Sequence, residues 1–388
     1  MIRLTRAIPV SSFDAGATVA VGRDRPEFLA VARLAADLAR PIGARDVLRE
    51  LLGPRPDVLG WRVIERCVDL RLLERIGEGG EAALSEIGRR ALDHGEVLVP
   101  EEGIWRFFVV DDPLVPAVLI DVQRLEAEPV RKEREAAKEA RARGERSPQP
   151  ERSPDLLRRC CGVGPLRSVS HGPLFQLVEL GERGSSGPRG QLRLEFTWDA
   201  APSIRLSGRL PSHDDGERAK PIDAEVDLPE VVGRWRREVL WKMLVTHATR
   251  VPGPELDRWR AVAGRSVVPA TFQSLPDAAR RVFRRNLDVP ASDLQELGRF
   301  DATVLKDVHV VPATQADAEA WLSWLQWEAV NDYALPIELE QKSRELHALF
   351  PHHQPRALSA SELLAKARAE RGDRSWCLLA PSDLGLWS

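Results

Sequence analysis

Cysteine is scarce: the 388 residues hold four, Cys67, Cys160, Cys161 and Cys377. Adjacent Cys160 and Cys161 do not readily bridge each other, and nothing resembles the framework of a disulfide-stapled secreted domain. Long apolar runs are missing too. No stretch approaches the roughly 20 residues that a membrane-spanning helix needs. The opening MIRLTRAIPVSSF has no apolar core for a signal peptide, so a reducing cytoplasm is the expected compartment. There is also no excess of one charge: 56 basic and 59 acidic side chains leave a formal charge of −3. No global field draws such a chain onto nucleic acid, and any such contact has to be local.

The motifs of common chemistries are absent as well. There is no G-x-x-x-x-G-K-[ST] for phosphates, and Gly77-x-Gly79-Gly80 and Gly162-Val163-Gly164 do not sit at strand-to-helix switches. There is no C-x-x-C or H-E-x-x-H. His352 and His353 are adjacent and lack ligand-spaced partners, and His213-Asp214-Asp215 reads as a solvated turn. No G-x-S-x-G marks a nucleophile elbow, and no histidine is followed two residues later by lysine. Glu338, Glu340 and Lys342 contain the E-x-K fragment with which many nucleases hold a metal. Those nucleases place it on a strand, whereas Leu339, Leu346 and Leu349 here follow a helical period with Glu338–Lys342 as an i,i+4 pair. These readings give no catalytic residue, no metal site and no cofactor.

What is present is clearest between Pro26 and Gly95. Phe28, Val31, Ala32, Ala35, Leu38 and Ala39 line one face of a helix that starts on a tolerated proline and stops at Pro41 and Gly43. A second helix spans Ala44–Leu52, and a third spans Val58–Leu70. Leu72–Ile76 then reads as a strand, Gly77–Glu81 as a tight glycine turn and Ala83–Ser85 as the return. Ser85 caps a helix over Glu86–His94 that ends at Gly95. With the phrase DLRLLERIGEGGEAALSEIGRRAL, this order resembles the winged helix-turn-helix superfamily over about a fifth of the chain.

The resemblance implies DNA contact through the third helix and the exit helix. Arg62 and Arg66, with Arg89 and Arg90, are then the candidates for phosphates or guanine edges. Glu65, Asp69, Glu74, Glu78 and Glu81 are interleaved and oppose phosphates. Winged helices also serve as protein–protein modules, so both partners stay open.

The first 25 residues read as short strands or irregular structure, with turn chemistry at Asp14-Ala15-Gly16 and Gly22-Arg23-Asp24. From Arg124 to Arg159 the composition becomes charged and proline-rich, the signature of a solvated helix and flexible linker. The expected division is therefore 1–123 as a winged-helix domain with flanking strands, 124–159 as linker and 160–388 as a sheet-plus-helices domain. Leu174–Leu180, Gln191–Trp198, Ser203–Arg209 and Ile222–Val226 alternate as antiparallel strands. Helices are expected over Pro229–Thr249, Pro254–Gly264, Leu275–Asn286, Ala291–Arg299, Gln315–Asp332, Pro336–Leu349 and Ser359–Arg371, with one late strand at Thr303–Val311. The class is α+β, an N-terminal winged helix joined to an antiparallel sheet with a mostly helical C-terminal part.

Two further clusters stand out. On a helix over 275–286, Arg280, Arg281, Arg284 and Arg285 fall within about 140° of one another, a face that a phosphate backbone or an acidic partner would neutralise. Trp321, Trp324 and Trp327 step by three along another helix. They form either core or an aromatic patch for a protein partner, since Trp and Arg are enriched at interface hot spots. The expected role is a non-catalytic nucleic-acid-binding or assembly subunit of a DNA- or RNA-processing complex. Antiviral (phage) defence enters by analogy with the companions such enzymes have. Alternatives are a winged-helix transcription regulator with a C-terminal sensor, and a divergent metal-dependent nuclease.

Overall fold

In the computed structural model the described residues are 1–77, 79–125, 151–211 and 220–387. They form two compact units, Thr5–Arg234, and Met1–Leu4 with Trp235–Ser388. The class is mixed α+β with antiparallel sheets. A winged helix at the N-terminus is not supported by the element that opens the chain. It is one long strand, β1 (Ile2–Arg23), and the first helix starts only at Pro26.

The reason lies in period-two burial and one buried ion pair. Ile2, Leu4, Arg6, Ile8, Val10 and Ser12 are buried in alternation. Asp14, expected in a turn, is buried and accepts both arms of Arg106 at 2.8 Å. Gly16 stays in the ladder opposite Ile104. Two charges taken out of water need each other's geometry, so the pair holds the strand extended where local turn chemistry argued otherwise.

β1 pairs antiparallel with β4 (Val97–Val109), from Ser11 opposite Val109 to Arg23 opposite Val97. β4 in turn pairs with β5 (Leu119–Arg124). On the other side come β9 (Gly190–Trp198), β10 (Pro202–Arg209) and β11 (Pro221–Val226), giving the order β11-β10-β9-β1-β4-β5. β8 (Leu174–Ser186) also pairs with β1, and the short β6 (Glu151–Arg152) and β7 (Leu166–Arg167) pair with β8. Phe13, Val19, Trp105, Phe107, Phe175 and Leu177 build a core from strands on both sides of the expected linker. The units therefore divide at Arg234/Trp235 and not at 124–159, because β8 and β9 find their ladder partner in β1. Most of the charged run, 126–150, lies outside the described residues, as do Glu78 and His213.

Between β1 and β4 the chain makes a helical excursion: α1 (Pro26–Leu38), α2 (Ala44–Val47, continued by a wider π-turn over Leu48–Leu52) and α3 (Asp57–Asp69). A hairpin of β2 (Leu73–Ile76) and β3 (Glu81–Leu84) follows, then α4 (Glu86–His94). Val31, Ala35, Ile42, Val47, Ile64, Cys67 and Leu72 form its core. Burial pushes the Cys67 thiol up to about 12, so it is an inert core side chain.

The second unit contains α5 (Arg237–Thr249), α6 (Gly253–Ala263), β12 (Val268–Ala270), α7 (Asp277–Val282), β13 (Arg284–Val289), the short pair β14 (Ser292–Asp293) and β15 (Arg299–Phe300), and β16 (Thr303–Pro312). It closes with α8 (Gln315–Glu328), α9 (Pro336–His347), α10 (Ala360–Glu370) and α11 (Asp373–Asp383). β16 runs between β12 and β13, parallel to the first and antiparallel to the second. Three expected helices differ. Pro229–Thr249 is broken at 234–236 into one turn over Glu230–Gly233 and α5. Ala291–Arg299 is the β14–β15 hairpin with one 3-10 turn. The helix expected over Leu275–Asn286 stops at Val282.

Candidate functional site

The face of the helical excursion that carries α3 is set by close backbone packing. A Cβ at Gly60 would lie 2.6 Å from the carbonyl oxygen of Ala44, so only glycine lets α3 approach α2 this closely. Asp57 opens α3 where the helix dipole favours an acid. Gly80 turns the hairpin with φ of +73° and has the Trp61 ring against it: a Cβ there would meet the ring at 2.3 Å. The Ser85 hydroxyl donates to the Arg71 carbonyl at 2.5 Å and accepts from the Gly88 amide at 2.8 Å, tying hairpin to α4.

What this scaffold presents is apolar as well as charged. Leu51, Leu52, Val58, Leu59, Trp61 and Ile76 are exposed, Val58 by 61% and Trp61 by 38%. Scattered exposed apolar residues are ordinary, but five within eleven residues make a patch. Around it stand the expected site residues. Arg62 and Arg89 are exposed and have no ion pair among the described residues. Arg66 sits 3.9 Å from Asp69, Arg75 3.4 Å from Glu65, and Arg90 2.6 Å from Glu86. Asp57, Glu74 and Glu81 are exposed without such partners. From Pro26 to Gly95 there are 12 acidic and 11 basic side chains, so the excursion carries no cationic field.

The expected arginine face at 280–285 does not exist as a face. Phe283 takes the left-handed conformation, φ 52°, and its amide closes α7 onto Ala279. Arg284 and Arg285 then belong to β13, opposite His309 and Val308. Helix periodicity is lost because the Phe283 ring stacks on Trp321, with centroids 4.6 Å apart and planes 7° apart. Arg280 lies over the Phe272 ring at 4.0 Å, donates from Nε to the Phe272 carbonyl and pairs with Asp277 at 3.0 Å. Arg281 pairs with Glu328 at 2.6 Å, which Arg374 also holds. These two partners, Arg374 first, keep the Glu328 carboxyl below its usual range. Arg285 is half-buried with Nε unpaired.

Of the two readings of the tryptophan helix, the contacts are those of core packing. Trp321 is fully buried and donates from Nε1 to the Arg280 carbonyl at 2.9 Å, and Phe350 packs edge-on against it. Trp324 faces Phe272 and Arg280, while Trp327 packs on the cluster around Leu363 and Leu378 with Lys366 over its ring at 4.9 Å. All three serve the unit's own packing.

Glu338, Glu340 and Lys342 lie on α9. Glu338 accepts from the Leu335 amide at its start, and Lys342 pairs with Glu345 at 2.9 Å. His353 reaches the Pro312 carbonyl at 3.0 Å. No group of three or more His, Cys, Asp or Glu placed to hold a metal ion occurs among the described residues. No helix among them is long and apolar enough to cross a membrane.

Compared with known proteins, the chain matches no family model, no curated sequence and no solved structure. Sequence reasoning missed the patch at Leu51–Trp61. Its signal was present, since Val58, Leu59 and Trp61 flank Gly60 at the start of α3 and fall off the Gly60, Ile64 and Cys67 core period.

Proposed function

We propose that the chain is an assembly subunit, and that residues 26–95 form a winged-helix-like module that docks onto a protein partner. The observation that carries this reading is the exposed patch Leu51, Leu52, Val58, Leu59 and Trp61, at the start of the helix a winged helix uses for contact. The element order of three helices, hairpin and exit helix supports the module's assignment. The surrounding unpaired acids, Asp57, Glu74 and Glu81, suit a partner with an apolar centre and a basic rim.

Nucleic acid is the second reading, and it rests on Arg62 and Arg89, which are exposed and unpaired. It is the weaker of the two. The outer side of α3 carries Arg62 and Arg66 against Asp57, Glu65 and Asp69, and a duplex repels that balance. The role in a nucleic-acid-processing or antiviral complex then belongs to the partner's chemistry.

The test is quantitative affinity capture from the source cells, comparing wild type with Leu59→Asp and Trp61→Asp, each with and without nuclease. The expected result is one or more proteins retained through nuclease treatment and lost with both variants. Capture that disappears with nuclease and survives both variants would replace docking by nucleic-acid binding, with Arg62→Gln and Arg89→Gln then the variants that abolish it.

A further inference from the structure

The second unit contains a cleft of about 380 Å³ whose wall is cationic. Arg237 and Trp241 reach it from the first turn and a half of α5, Arg260 from α6, Arg265 from the loop after α6, and Lys306 and His309 from β16. None of the four Arg and Lys side chains has an ion pair among the described residues. Arg237 Nε is buried without a hydrogen-bond partner. Two carboxylates also line the cleft, Glu238 and Asp307. Both are exposed and pair with none of the cations.

The backbone is shaped here as well. Asp307 takes φ of 53°, and the β13–β16 register slips between Arg285 and Leu287, a bulge that the Asn286 side chain fastens by accepting from the Asp307 amide at 3.2 Å. Bulges re-aim side chains next to binding sites. The start of α5 has no side-chain cap, which leaves the positive end of its dipole toward the same space. The field is felt by His309, which is held below its ordinary value by burial first and then by Arg265 and Arg284.

A folded chain gains nothing from holding four unpaired cations around one polar space, whereas three arginines elsewhere in this unit are matched: Arg280 to Asp277, and Arg281 and Arg374 to Glu328. We propose that this cleft binds the phosphate group of a mononucleotide, with Arg237, Arg265 and Lys306 on the phosphate oxygens and the Trp241 indole against the base. Guanidinium groups match phosphate oxygens bidentately. The volume falls within the range of small-ligand sites. A single indole supplies one aromatic face, enough for one base. The site stands independently of the docking face.

The test is calorimetric titration of the full chain with AMP, adenosine and inorganic phosphate at low salt. AMP should bind more tightly than phosphate, and adenosine should bind weakly. Arg265→Gln and Lys306→Gln alter exposed side chains, so circular dichroism should be unchanged while AMP and phosphate affinity each fall about tenfold, the loss of one charge-assisted contact. Trp241→Leu should remove the advantage of AMP over phosphate and leave phosphate binding in place. The His309 ring, followed by NMR against pH, should titrate higher once AMP is bound, because a dianion offsets the neighbouring guanidinium groups. No heat with AMP or phosphate, or binding that survives Arg265→Gln and Lys306→Gln, would overturn the site. AMP binding no tighter than phosphate would overturn the nucleotide.

Discussion

The α7–α8 region and the α3 face both place tryptophan beside arginine, and they use the pair in opposite ways. Around α7 three such groups are answered from within the unit: Trp321 by Phe283, Phe350 and the Arg280 carbonyl, Arg280 by Phe272 and Asp277, and Arg281 by Glu328. At α3, Trp61 packs against the hairpin glycine and keeps 38% of its surface exposed, and Arg62 has no ion pair among the described residues. The same residue types are core in one place and surface in the other. What separates them is whether a second element brings a ring and a carboxylate within reach.

The largest test of that contrast is Trp321→Ala. It removes a fully buried indole and frees the Arg280 carbonyl, and about 3–5 kcal/mol should be lost in chemical denaturation. Trp61→Ala should cost far less, because its ring is already one-third exposed. Similar losses at the two sites would erase the distinction. Within the helical module, Ser85→Ala removes the cap of α4 and the tie to Arg71, and it should cost about 1 kcal/mol.

Acid sharpens the comparison from another side. Hydrogen bonds from Arg40, then from the Gly43 amide, hold Asp46 down from 3.8 to about 2. A carboxyl lowered on folding stabilises the folded form above its ordinary value and loses that contribution as pH falls through the folded one. The module should therefore weaken between about pH 4 and pH 2, and Asp46→Asn should flatten that limb. An unchanged acid limb in the variant would mean that other carboxylates govern it. The smallest effect is expected at Arg281→Gln, an exposed pair worth less than about 1 kcal/mol, with Glu328 still held by Arg374.

How much of this was legible in the chain depended on the range of the deciding contact. The hairpin and its exit helix were readable because their causes are local: Gly77 and Gly80 at positive φ, and Ser85 three residues before the amide it caps. The long first strand was not, because Asp14 is settled by Arg106, 92 residues away. In Arg284-Arg285-Asn286-Leu287-Asp288-Val289, the alternation that buries Leu287 and Val289 was visible, but four arginines at helical spacing concealed it. The cationic cleft left no sequence signal at all. Its residues sit at 237, 260, 265 and 306, and only folding makes them neighbours.

The ladder between β1 and β4 closes at Arg23 opposite Val97, and paired strands are about 5 Å apart. The whole excursion between them therefore leaves and re-enters the sheet through one doorway. Such an insertion does not lengthen the route by which the flanking strands find each other, once it has folded on its own core. A two-residue turn joining Arg23 to Val97 should reproduce the same closure. The sheet and the excursion can then be separated as genetic cassettes, the sheet kept while a different contact surface is spliced into the gap.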